Sequence, residues 1–114
     1  MENKLNTFYE FEFEDGSKVK MTLAFYAIYQ LKSKNISLYN RYNLAMNNLS
    51  KNNAEELSSI TILYTAYVCA NMNEQNLMSE EEFIIKCGSD RGAVGRAAKA
   101  LTQPKKAQAS GKPS

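Results

Sequence analysis

Near the start of the chain, apolar and polar residues alternate with a period of two, the spacing of a half-buried strand. Tyr9, Phe11 and Phe13 fall on one side, and Glu10, Glu12 and Glu14 on the other. After Asp15-Gly16 the alternation resumes, with Val19, Met21 and Leu23 against Lys18, Lys20 and Thr22. Two such runs around Asp-Gly predict a β-hairpin. A two-residue loop would set Phe13 against Lys18. A three-residue loop, Glu14-Asp15-Gly16, instead pairs Phe13 with Ser17, Phe11 with Val19 and Tyr9 with Met21, and it sets Glu12 opposite Lys18 and Glu10 opposite Lys20. Gly16 then takes the left-handed position that closes a type I turn with a bulge. The two charge pairs favour this register by about 0.2–1 kcal/mol each. Burial of the aromatic face weighs more, at roughly 1.5–3 kcal/mol per side chain. A lone hairpin is marginal in water, so that face must rest on something.

Beyond Leu23 the period lengthens to that of helices. A first helix is expected over Ala24–Lys34, with Phe25, Ile28, Tyr29 and Leu31 as its apolar stripe. Asn35-Ile36-Ser37 interrupts it, with Ser37 as the expected cap of a second helix. That helix carries Leu38, Tyr42, Ala45 and Leu49 on one face. Ser50 to Asn53 reads as a loop. A third helix starts near Ala54, has Glu55 and Glu56 in its first turn, where acids suit the dipole, and is apolar on nearly every side from Ile60 to Met72. This is the signature of a central helix covered by its neighbours. Asn73 to Met78 is a loop. Ser79 and Glu82 have the spacing of a capping box, and Gly88 closes the short helix that follows. Ser89 or Asp90 caps a last helix from Ala93 to about Leu101. The expected architecture is α+β: an N-terminal β-hairpin packed on a bundle of four to five short α-helices. One domain spans residues 1–102, and residues 103–114 form a disordered, flexible basic tail with no apolar residue larger than alanine.

Composition narrows the chemistry. The chain has no histidine, which removes the commonest general base and the commonest zinc ligand. Its two cysteines, Cys69 and Cys87, stand alone in apolar helical context and read as core residues, with a disulfide between them neither required nor excluded. No nucleophile elbow, phosphate loop or dinucleotide fingerprint is present. Gly92-Ala-Val-Gly95 has only two letters of a nucleic-acid clamp and reads as a small-residue helix contact. Glu80-Glu-Glu82 is accounted for by capping and the helix dipole rather than by metal binding. No catalytic residue, cofactor or metal is therefore expected. The start of the chain has no signal pattern, and the apolar stretch from Ile60 to Ala70 falls short of the roughly 20 residues a membrane span needs, so a cytosolic protein is expected.

Charge is divided unevenly. Residues 1–90 carry eight cations and twelve acids, net −4, whereas residues 91–114 carry six cations and no acid, net +6. Such an arm either remains solvated or attracts nucleic acid or an acidic partner. It is interleaved with alanines, so base stacking is not expected from it. The seven tyrosines are a second bias. A rigid ring with one polar tip suits a protein interface. Tyr42, Tyr64 and Tyr67 fit the helical stripes and are expected in the core. Tyr26 and Tyr39 fall off the stripes and are the candidate partner-binding residues.

Several segments together resemble a bacteriophage tail assembly chaperone of long-tailed phages (siphoviruses) of Gram-positive bacteria. They are Phe11-Glu-Phe-Glu-Asp-Gly16, Leu31-Lys-Ser-Lys-Asn35, Leu38-Tyr-Asn-Arg-Tyr42, Ile62-Leu-Tyr-Thr-Ala-Tyr67, Cys69-Ala-Asn71 and Met78-Ser-Glu-Glu-Glu-Phe83. The resemblance runs over residues 8–103 and contains no catalytic motif. It implies a protein of the infected or lysogenic host cytoplasm that binds the tape measure protein, keeps it soluble and helps recruit the major tail protein. It also implies a homo-oligomer absent from the finished virion. Such chaperones are often made in two lengths by a ribosomal frameshift. Lys105-Lys106 is the candidate frameshift position, since adjacent lysine codons can form a run of adenines. The competing reading is a small nucleic-acid-binding regulator acting through residues 91–114, with an affinity that falls steeply with salt. A structural subunit retained in the virion is a third.

Overall fold

The computed structural model describes residues 8–51 and 56–103. The hairpin consists of β1, Tyr9–Glu12, and β2, Lys18–Met21, in antiparallel register. Tyr9 faces Met21, Glu10 faces Lys20, Phe11 faces Val19 and Glu12 faces Lys18, as the three-residue loop requires. The Phe13 N–H donates to the Ser17 carbonyl at 2.8 Å and the Gly16 N–H to the Phe13 carbonyl at 2.9 Å, with Gly16 at φ +90°. Phe11, Phe13 and Met21 are buried on one face, and the glutamates and lysines of the other are exposed.

Five helices follow: α1 (Phe25–Lys34), α2 (Ile36–Ser50), α3 (Glu56–Ala70), α4 (Glu80–Cys87) and α5 (Arg91–Thr102). The fold is thus α+β, a two-stranded hairpin packed on five helices. α3 is the hub. Ile62, Leu63, Thr65, Ala66, Tyr67, Val68 and Cys69 are all buried, because β2, α1, α2, α4 and α5 surround the helix. Thr65 satisfies its hydroxyl inside this core by donating to the Thr61 carbonyl at 2.7 Å. On α2, Leu38 and Ala45 are buried while Tyr42 and Leu49 are half-buried, along the expected stripe.

An aromatic cluster joins hairpin, α3 and α4. Phe83, fully buried, meets Phe13 and Tyr64 edge-on at 5.6 and 5.4 Å and stacks on Tyr67 at 5.6 Å. The capping box of α4 is formed: Ser79 Oγ accepts from the Glu82 N–H at 3.1 Å, and Glu82 Oε1 accepts from the Ser79 N–H at 3.0 Å. Gly88 ends α4 at φ +63°. The Asp90 carboxylate accepts from the Ala93 N–H at 3.1 Å and so caps α5.

Five expectations need correction. Asn35, not Ser37, caps α2: its Oδ1 accepts from the Leu38 N–H at 3.1 Å, and its extended φ of −152° breaks the chain in one residue. α2 continues through Ser50, so the loop begins later than the run of polar residues suggested. α5 starts at Arg91 rather than Ala93, immediately after its cap. Gly92 and Gly95 do not make a helix contact. Both are exposed, and Val94, Ala97 and Ala98 form the buried face. Phe25 and Tyr29 point outward, while Leu31 is buried and Ala27 and Ile28 pack on the core. The expected start of α3 near Ala54 and the tail beyond Gln103 lie outside the described residues.

Two glycines give opposite expectations. A Cβ on Gly88 would strike the Glu14 carboxylate and would sit at a left-handed φ, so Gly88→Ala should destabilise by about 1–2 kcal/mol or more. A Cβ on Gly95 would meet nothing within 4 Å, so Gly95→Ala should stabilise α5 by roughly 0.5–1 kcal/mol. Phe83→Ala, which empties the aromatic cluster, should cost about 3–5 kcal/mol. Urea unfolding followed by circular dichroism measures all three.

Candidate partner-binding surface

α1 follows β2 after only three residues and lays one side on the core through Ala27, Ile28 and Leu31. Phe25, Tyr26 and Tyr29 therefore stand on its outer side, 93%, 61% and 71% exposed. An isolated exposed apolar residue is ordinary; three aromatics within a turn and a half of one helix are not. The Tyr26 and Tyr29 rings stack on each other at 6.2 Å, with 27° between their planes. Gln30 Nε2 reaches the Tyr26 hydroxyl at 3.5 Å.

The two sequence candidates have different settings. Tyr26 is on this outer side. Tyr39 is half-buried at the start of α2 and packs on the core, with Lys32 Nζ 5.6 Å above its ring. The outward setting of Phe25 and Tyr29 was hidden in the sequence because they share the helical spacing of Ile28 and Leu31. The usable signal was the smaller aliphatic set Ala27, Ile28 and Leu31, which makes an equally regular stripe. Lys105 and Lys106 lie outside the described residues.

A groove of about 290 Å³ opens elsewhere, between the first turns of α3, the end of α4 and the first turns of α5. Leu57, Ile60, Ile84 and Val94 line it, and the Arg91–Glu56 pair, at 2.6 Å, lies along it. Both ionic side chains of that pair are well exposed, so it adds little stability.

Several other charged groups have structural partners. Arg41 on α2 pairs with Glu80 at 2.6 Å, while Glu82 serves the capping box, so two of the three acids of that run hold α4 in place. The Ser17 hydroxyl and amide N–H donate to Asp15 Oδ1 at 2.6 and 2.9 Å, and Lys86 Nζ lies 3.1 Å from Asp15 Oδ2. The Ser17 hydroxyl first, then its amide and Lys86, hold the Asp15 carboxyl down at about 2. Among the described residues no three His, Cys, Asp or Glu side chains come together to hold a metal ion, and no helix is long and apolar enough to cross a membrane.

Cys69 and Cys87 are buried free thiols. Burial pushes Cys69 up to about 12; burial, then Glu14, pushes Cys87 up to about 11. Neither offers a thiolate at neutral pH, which is the form that reacts.

Comparison with protein-family models, with curated proteins and with solved structures finds no match to this chain.

Burial of the two thiols and the hydrogen bonds to Asp15 set two measurements. A thiol reagent such as Ellman's should label neither cysteine in the folded protein at neutral pH and both once it is unfolded by guanidinium. Because both thiols are raised, the unfolded chain ionises first and stability should fall as pH rises above about 9, whereas the Asp15 contribution, from a lowered group, should fade as pH drops from about 4 toward 2. Urea midpoints across pH, compared with those of Asp15→Asn and Cys69→Ala, check both signs.

Proposed function

We propose that this chain is a tail assembly chaperone of a long-tailed phage. It binds the tape measure protein in the bacterial cytoplasm, keeps that protein soluble, and helps recruit the major tail protein around it. It works as a homo-oligomer, because a long polymer needs many small subunits to cover it, and it is left out of the finished virion. No catalysis, cofactor or membrane contact is part of this role.

The observation that carries the reading is the outward aromatic face of α1, Phe25, Tyr26 and Tyr29, on a small body whose own core is complete without it. The segments that resemble such chaperones supply the choice of partner. A tape measure protein is a long helical chain with apolar stripes. A short helix with projecting rings is suited to cover such stripes by side-to-side helix packing.

Co-expression with a tape measure protein of such a phage tests the proposal. The expected result is a tape measure protein that stays soluble and co-purifies with this chain, with the yield falling in Phe25→Ser and Tyr26→Ser. A tape measure protein that remains insoluble, with nucleic acid co-purifying instead and lost on deletion of residues 104–114, would replace the chaperone by the basic-arm regulator.

A further inference from the structure

The aromatic face of α1 does not stand alone. Successive helical positions at three- and four-residue spacing share a side, so Phe25, Tyr29 and Lys32 lie in one row, with Tyr26 beside them. Lys32 and Lys34 occupy the last turn of α1, and no acid occupies its first. Among the described residues neither lysine is in an ion pair. Lys32 is steered by the Tyr39 ring beneath its ammonium group, which fixes a cation at the end of the aromatic row. From Gly16 to Ala54 the chain contains six cations and no aspartate or glutamate. Of these, Lys18 and Lys20 face Glu12 and Glu10 across the hairpin and Arg41 pairs with Glu80; α1 itself carries Lys32 and Lys34 and no acid, although residues 1–90 as a whole are net acidic.

Charge of one sign beside an exposed apolar row selects a partner of the other sign. From Phe25 to Lys32 the row is about 10 Å long, two turns of the helix. It matches one apolar stripe of a helix lying alongside. We propose that the outer face of α1 docks an amphipathic helix of a partner protein, taking its apolar stripe on Phe25, Tyr26 and Tyr29 and its two acidic flanks on Lys32 and Lys34, which stand on opposite sides of the row at its C-terminal end. Tyr39 acts as a positioning residue for Lys32. The stacked tyrosine pair favours a helix over single-stranded nucleic acid. Its two rings already cover one another in part, and the cations lie at one end of the row instead of following it as a phosphate backbone would require. This inference rests on the reading of the chain as a protein-binding module but not on the identity of its target.

Two helical peptides serve as probes, each with a single leucine stripe and held helical by a hydrocarbon staple. One carries glutamates beside the stripe and the other lysines. Binding to the full chain is followed by fluorescence anisotropy at low and high salt. The glutamate peptide should bind at least about tenfold more tightly than the lysine peptide, with the preference shrinking as salt rises. Lys32→Glu/Lys34→Glu should abolish or invert the preference, and Phe25→Ser/Tyr29→Ser should weaken both peptides. These side chains are exposed, and circular dichroism verifies that the variants remain folded. Tyr39→Leu should reduce the preference without removing the binding. The proposal is overturned if neither peptide binds the folded protein or if the serine variant binds as well as the parent. It is also overturned if the charge preference survives in the Lys32/Lys34 variant, which would assign it to the basic residues after position 90. An oligothymidylate that binds more tightly than the glutamate peptide and is lost in the serine variant would reassign the face to nucleic acid. If the glutamate peptide binds as expected while the tape measure protein does not co-purify, the docking face stands and the chaperone identity fails.

Discussion

Tyr64 and Tyr67 reach from α3 to the backbone of a single residue, Met78. The Tyr67 hydroxyl accepts from the Met78 N–H at 2.9 Å, and the Tyr64 hydroxyl donates to the Met78 carbonyl at 2.9 Å. Both backbone groups of a half-buried loop residue are thereby satisfied without secondary structure, which such groups need. The same two rings are walls of the Phe83 site. Met78 immediately precedes the Ser79 cap, so this grip sets where α4 begins, and Phe83 then sets its rotation. Arg41 on Glu80 fixes the same helix start from the side of α2.

The hairpin depends on that placement. Its turn is held to the end of α4: Lys86 Nζ donates to Ser17 Oγ at 2.9 Å and pairs with Asp15, and the Ser89 N–H donates to Glu14 Oε2 at 3.1 Å. Its other end is held to α3: the Thr22 N–H donates to the Ala66 carbonyl at 3.0 Å, and Asn71 Nδ2 donates to the Lys20 carbonyl at 3.1 Å. Two strands of four residues have little stability alone. Fixed at both ends and packed through Phe11, Phe13 and Met21, they become part of the core. The glycine at position 88 belongs to this junction, because the carboxylate of Glu14 occupies the space where a side chain would stand.

The consequence for the surface lies in α1. β2 is fixed and only three residues separate it from α1, so the helix has little freedom in where it lies or which side it buries. Its core contact is made by Ala27, Ile28 and Leu31, and its largest side chains are left outside. A surface of rigid rings on a helix fixed from both ends loses little side-chain entropy when a partner covers it. Burial keeps the thiols and α3 out of that surface chemistry.

Much of this protein was determined by local sequence. The strand register followed from pairing like faces and opposite charges across Asp15-Gly16. The capping box at Ser79, the stop at Gly88 and the all-round apolar α3 followed from rules that act within a few residues. The α2 cap was local too, but it falls on Asn35, two residues before the expected Ser37, because Asn35 Oδ1 is placed to accept from the Leu38 N–H. What only the tertiary structure decided was direction. Helical spacing made Phe25 and Tyr29 as good a stripe as Ala27, Ile28 and Leu31, because a ten-residue helix repeats too few times to separate two overlapping faces. The same limit made Gly92 and Gly95 look like a contact, when Val94, Ala97 and Ala98 were the residues turned inward. Which side of a short helix meets the core depends on where its neighbours are anchored. Here the anchors, Met78 between two tyrosines and Glu14 at Gly88, join residues distant in the chain, and no local pattern records them.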